Sequence, residues 1–196
     1  MLGLLILASL SLQSHSTKTQ KMNSGKVKIE IWSDVVCPFC FIGKKKIEQA
    51  VAKLGAQDKV EIIWHSFQLD PDFPADKAIP SINYLSERKG YPIDQVVGMC
   101  GQLTAQGKAY GVDFNFDSAL TFNTLNAHRL IQWAKTQNKS NELKEAFMLA
   151  YFSEGTNLTL QNNVLDVVKK AGLDADAAAK VLASNDFLAE VTADIE

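Results

Sequence analysis

Cys37-Pro38-Phe39-Cys40 is the stretch of this chain whose residue types and spacing most directly suggest chemistry. Two cysteines so placed can ligate a metal, close a disulfide, or fill space in a core. Zinc asks for four ligands, usually supplied as two such pairs. The other candidates, Cys100, His15, His65 and His128, are not paired at ligand spacing, so no metal is expected. Chance packing is disfavoured because the motif falls between a strand pattern and a helix pattern, a context that redox dithiols occupy. The expectation is a pair that cycles between two thiols and an intrinsic Cys37–Cys40 disulfide, with no bound cofactor.

A thiol attacks as its thiolate, and an unperturbed cysteine is only about 3% ionised at pH 7. Cys37 falls at the start of a helix, where unpaired N–H groups and the helix dipole favour an anion. The dipole contributes at most ~2 kcal/mol, roughly 1.5 pKa units. Further depression requires hydrogen bonds to the sulfur from backbone N–H groups or from the Cys40 thiol. Lys44, Lys45 and Lys46 follow closely but read as a solvated helix face. Cys37 is therefore expected to attack and Cys40, a turn further in, to resolve the mixed disulfide. Trp32, Pro38 and Phe39 surround the first cysteine and are read as an apolar rim for a substrate. Asp34 reads as a turn residue.

The elements that must hold this motif are legible from periodicity. Val27, Ile29 and Ile31 alternate with Lys28, Glu30 and Trp32, which predicts a strand. Ile47, Ala50, Val51 and Leu54 then recur at helical spacing, Pro38 suits the first helical position, and Gly55 marks the stop. Val60 to Leu69 is rich in β-branched and aromatic residues and predicts a second strand. Strand, helix and strand make a βαβ unit with parallel strands. Beyond Asp70-Pro71 and Phe73-Pro74 the strand signals stop, and helices are predicted over 79–90, 92–110, 118–138, 140–153, 161–171 and 174–195. Three regions follow: residues 1–22, a βαβ half over 23–74, and a helical insertion over 75–196. Two parallel strands do not make a stable sheet alone, so the remaining strands are expected to be missing from this chain.

Composition excludes several classes. The 196 residues carry a net charge of −2, with 46% hydrophobic and 21% charged residues. That balance offers no field for nucleic acid or an anionic membrane. Leu2 to Leu12 is apolar but too short to span a bilayer. Residues 1–22 read either as a signal peptide lacking its basic start or as an extension ahead of a true start at Met22. The first would make the protein periplasmic or secreted and the second cytoplasmic, and the cytoplasm is preferred.

With the motif placed, KIEIWSDVVCPFCFIGKKKIE (residues 28–48) resembles the active-site segment of the DsbA-like thioredoxin superfamily, in particular its FrnE-like branch. His65 to Pro71, the run from Asn123-Thr124 to His128-Arg129-Leu130, and Phe152 to Thr159 are similar to the same branch. The resemblance implies an α/β thioredoxin-like fold with a large helical insertion, and thiol–disulfide oxidoreductase activity through Cys37 and Cys40. It implies protein thiol or disulfide substrates and a redox partner that recycles the pair. Two departures stand out. Family members continue into a Gly-Val-Pro segment, further strands and a helix that are not in this chain, which agrees with the incomplete sheet. The family's buried acid is replaced by Ile31, so the proton acceptor for Cys40 must come from elsewhere.

The superfamily also includes glutathione-dependent isomerases and transferases, which typically carry serine at the first motif position. Glutathione is kept as a possible co-substrate on that ground, although Cys37 argues against the isomerase chemistry. A further alternative is an inactive fragment or binding module. Cys100 reads as a packed small hydrophobe, and His65 and His128 as hydrogen-bonded core histidines.

Overall fold

The structure, a computed structural model, describes residues 25–196. The leader-like stretch of residues 1–22 lies outside the described residues. Strand β1 (Val27–Ser33) leads through a short turn into helix α1 (Pro38–Lys53), and β2 (Val60–Ser66) returns beside β1. The two strands are parallel, with Ile31 opposite Trp64 and Ser33 opposite Ser66. Gly55, at φ 57°, turns the chain out of α1, a left-handed position that glycine adopts without a Cβ penalty.

The remaining elements are β3 (Ile79–Pro80), α2 (Ser81–Asn83), which continues as a wider π-type turn over Tyr84–Arg88, α3 (Ile93–Lys108) and β4 (Leu120–Thr121). After them come α4 (Leu125–Lys135), α5 (Ser140–Phe152), α6 (Gln161–Lys170), α7 (Ala175–Ala183) and α8 (Leu188–Ile195). The expected βαβ unit and helical layer are both present. One apolar core joins Phe41 and Ile42 of α1 to Leu130 and Ile131 of α4 and to Phe147 and Phe152 of α5. Phe41, Phe114 and Phe152 meet with ring centroids 5.0 to 6.1 Å apart, two pairs edge-on and Phe41 stacked with offset on Phe152, arrangements that aromatic quadrupoles prefer.

Four expectations need correction. Strands do not stop at residue 69: β3 and β4 form a two-residue antiparallel ladder, Ile79 opposite Thr121 and Pro80 opposite Leu120. Proline lacks a ladder donor and suits only such an edge. The helix expected over 118–138 therefore begins at Leu125, whose N–H is taken by the Asn123 side chain at 3.0 Å. The helix expected over 174–195 is two helices, because Arg129 draws off the carbonyls between them. Its guanidinium donates to the Val181 and Ser184 carbonyls at 2.6 Å each and to the Asp186 carbonyl at 2.9 Å. Phe187 then turns with φ 62°, and α8 docks on β2 through Asp194, which accepts from the Ser66 N–H and pairs with His65, both at 2.6 Å. His65 is thus bonded and half-buried rather than part of the core.

Candidate functional site

The site begins where β1 ends. Cys37 is extended (φ −97°, ψ 111°) and caps α1, with Pro38 in the first turn, where a missing N–H leaves no bond unmade. The Cys37 sulfur accepts the Cys40 N–H at 3.3 Å, so a donor of the helix start is spent on the thiol. Both cysteines are half-buried free thiols. Hydrogen bonding between the two sulfurs dominates their acidity. It pulls the Cys40 thiol down to about 6 against the upward push of burial, with the Ser33 hydroxyl, the Asp34 backbone and the Lys144 charge helping. The same sulfur–sulfur bond, with burial, raises Cys37. The two thiols are thus pushed apart, Cys40 towards the thiolate and Cys37 towards the thiol, and they titrate as a coupled pair.

A cavity of about 290 Å³ opens beside Cys37, between the turn after β1 and the helical layer. Cys37, Pro38 and Phe39 line it together with Tyr84, Leu103 and Phe122, whereas Cys40 does not reach it. Phe39 is 68% exposed and forms part of the mouth. Trp32 is elsewhere: it stacks on His65 at 4.4 Å and donates its indole N–H to the Asp194 carbonyl at 2.8 Å. Cys100 also lines the cavity, buried as expected, and burial pushes its thiol pKa up.

The charged residues lining the cavity are Asp34 and Asp70. Asp70 is engaged by Arg88 at 2.5 and 3.0 Å and by the Tyr84 hydroxyl at 3.1 Å. The Arg88 bond holds its carboxyl at about 2. Asp34 is no ordinary turn residue. It is buried, and its two oxygens accept from the Val35 N–H at 2.7 Å and the Leu69 N–H at 2.8 Å, with His128 Nε2 at 3.1 Å. His128 is the bonded core histidine that its spacing suggested.

The lysines of α1 also differ from expectation. Lys44 is buried and ion-paired with Glu48 at 2.6 Å and Glu145 at 2.5 Å, while Lys45 pairs with Glu145. These pairs clamp α1 to α5 and, of the three consecutive lysines, leave Lys46 on the outer side, over the Tyr110 ring at 5.0 Å. The cation that does influence the thiols is Lys144 of α5, which sequence reasoning missed. A signal was available: Lys144 lies at helical spacing with Phe147, Met148 and Tyr151, all buried, so it sits on the apolar stripe. Among the described residues, no group of three or more His, Cys, Asp or Glu side chains is arranged to hold a metal ion.

A family model, the DSBA-like thioredoxin domain, matches residues 28–196. The chain belongs to this family. Among solved structures, the probable DsbA oxidoreductase SCO1869 from Streptomyces coelicolor is similar at TM-score 0.81 and 31% identity, over 86% of this chain and 73% of that one. The Bacillus subtilis (strain 168) protein YwbO is 28% identical over 163 residues, 82% of this chain and 74% of its own length. A 2-hydroxychromene-2-carboxylate isomerase shares the fold at TM-score 0.59 with 13% identity, over 86% of this chain and 77% of that one. The DsbA-like chain thus has a thioredoxin-like fold with extensive helix and a family background of disulfide oxidoreductases. No helix of the described residues is long and apolar enough to cross a membrane.

Proposed function

We propose that this DsbA-like protein is a thiol–disulfide oxidoreductase that exchanges disulfides with protein substrates through Cys37 and Cys40. The observation that carries the reading is the division of labour at the helix start. Cys37 faces the cavity while Cys40 stands behind it, with the Cys37 thiol pushed up and the Cys40 thiol pulled down, so that Cys40 can take the Cys37 proton. As Cys37 attacks a substrate disulfide, that proton passes to Cys40. The substrate S–S bond breaks, a Cys37–substrate bond forms, and one substrate thiolate leaves. Cys40 then gives up its proton to the departing thiolate and attacks the Cys37 sulfur, releasing the second substrate sulfur as a thiolate. Two electrons have moved to the substrate, and a Cys37–Cys40 disulfide remains for a redox partner to reduce. Run backwards, the same steps oxidise a dithiol.

The cavity supports a protein substrate. Its Phe, Tyr and Leu lining suits an apolar side chain next to the attacked cystine, and Pro38 and Phe39 at its mouth can hold the flanking backbone. Glutathione brings two carboxylates, and the charged lining here consists of Asp34 and Asp70, which favours a protein partner over the tripeptide. The test is reduction of insulin and oxidative refolding of a reduced protein, compared for the chain, Cys37→Ser and Cys40→Ala. Activity lost in Cys37→Ser, with a trapped mixed disulfide in Cys40→Ala, is the expected result. Activity indifferent to Cys37, or turnover of an aromatic substrate only with glutathione, would overturn the reading.

A further inference from the structure

Lys144 is 0% exposed. Its ammonium donates to the Ser33 carbonyl at 3.0 Å and lies 5.2 Å from the centre of the Trp64 ring. Among the described residues no carboxylate comes within ion-pair reach of it, whereas the equally buried Lys44 has two. An ammonium taken out of water without a counter-charge is costly, and proteins normally pair it, neutralise it or use it. The charged and titratable groups that influence Lys144 are Asp34, Cys37, Cys40 and Lys44. Asp34 is already bonded by His128 and two backbone amides, and Lys44 by its two glutamates. Asp34 exerts the strongest pull on the ammonium, and the dithiol exerts the next and is the one whose charge changes as the pair cycles.

Resting on the redox reading above, we propose that Lys144 is a positioning residue for the dithiol: its buried ammonium, anchored on the Ser33 carbonyl, is a counter-charge for the thiolate of the Cys37–Cys40 pair. Ser33 links the two, since its carbonyl holds Lys144 and its hydroxyl favours the charged form of Cys40. Burial drags the Lys144 amine down to about 8, while Asp34, Cys40 and Cys37 pull the other way. The influence is mutual, as linkage requires. When Cys37 and Cys40 close into a disulfide their negative charge disappears and the ammonium loses its compensation. Lys144 therefore stabilises the reduced form over the oxidised one and makes the disulfide a better oxidant.

Two substitutions separate charge from structure. Lys144→Met removes both charge and hydrogen bond, and replacing a buried charge by an apolar chain is commonly tolerated. Lys144→Gln keeps an N–H donor for Ser33 but no charge. The readouts are the pH midpoint of thiolate absorbance in the ultraviolet and the fraction of Cys37–Cys40 disulfide in glutathione redox buffers. Both variants should raise the thiolate midpoint by about one pH unit or more. Both should shift the equilibrium with glutathione about tenfold towards the disulfide, equivalent to about 30 mV. If Lys144→Gln behaves like the unchanged protein on both readouts, the role is structural and the proposal is overturned, whether or not Lys144→Met folds. If the unchanged protein forms no Cys37–Cys40 disulfide at any glutathione ratio, the redox reading itself fails, and Lys144 with it.

Discussion

Asp34 Oδ1 stands 3.1 Å from His128 Nε2, and both side chains are 1% exposed. The contact ties the turn before Cys37 to helix α4, across the boundary between the βαβ unit and the helical layer. The second Asp34 oxygen accepts the Leu69 N–H, so one carboxylate fixes the turn, the chain leaving β2 and the insertion together.

Removing that carboxylate should be severe. In Asp34→Ala the imidazole and two amides lose their partner in a dry site, a loss of about 3–5 kcal/mol for a broken buried pair. Urea unfolding at neutral pH measures it. Burial pushes the Asp34 carboxyl up, but hydrogen bonding and charge interaction with His128 and the Leu69 amide bring it below its ordinary value. A carboxyl with a depressed folded pKa adds stability above its unfolded value, near 4, and loses it as pH falls through the folded value. Acidification below about pH 4 should thus erode the stability of the unchanged protein more than that of Asp34→Asn.

The sequence carried the parts of this arrangement that follow from local pattern. Strand alternation, Pro38 at a helix start and Gly55 at its end are each decided within a few residues, so β1, α1 and β2 were legible. Asp34 was not, because its partners Leu69 and His128 are distant in sequence and a turn aspartate has a local explanation ready. Lys44 read as solvated because Glu145, which neutralises it, lies on another helix. The break between α7 and α8 was hidden for the same reason, since it depends on a guanidinium from α4. Local propensity marks where elements lie; long-range hydrogen bonds decide which polar groups are structural.

The coupled titration of Cys37 and Cys40 should be visible in their reactivity. Alkylation of the reduced protein by iodoacetamide should rise with a midpoint near the value of about 6 that the Cys40 side reaches. In Cys40→Ala the sulfur–sulfur bond is gone, and the Cys37 profile should move towards an ordinary thiol near 8.5. The sign for stability follows. A depressed thiol pKa stabilises the folded reduced protein above the unfolded value, and that gain fades as pH falls through about 6. The reduced protein should therefore gain stability over Cys40→Ala between about pH 6 and pH 8.5. A flat difference across this window would show that the two sulfurs titrate independently.

Arg129 offers a test of the helix break. Arg129→Gln leaves the carbonyls of Val181, Ser184 and Asp186 without their shared donor. Each hydrogen bond to a charged group contributes about 1.5–3 kcal/mol, and a buried guanidinium cannot be replaced by a point charge. Hydrogen exchange should accelerate across residues 175–195 in both Arg129→Gln and Arg129→Lys. Protection of α1 should change less, because its most extensive contacts are with α3 and α5 rather than with α7 or α8.

The cavity can be tested without touching the thiols. Leu85 lines it from the turn after α2 and is only partly buried, so a larger side chain there can intrude without disrupting the core. Leu85→Trp should fill much of the space beside Cys37. If an apolar side chain of the substrate enters there, kcat/KM for insulin reduction should fall about tenfold, equivalent to about 1.4 kcal/mol of lost transition-state binding. Dithiothreitol, which needs no such pocket, should react with the Cys37–Cys40 disulfide at an unchanged rate. Equal losses with both reagents would mean that the substitution disturbed the sulfurs rather than the binding of a peptide. Unchanged insulin kinetics would place the substrate outside the cavity, on the exposed surface around Phe39.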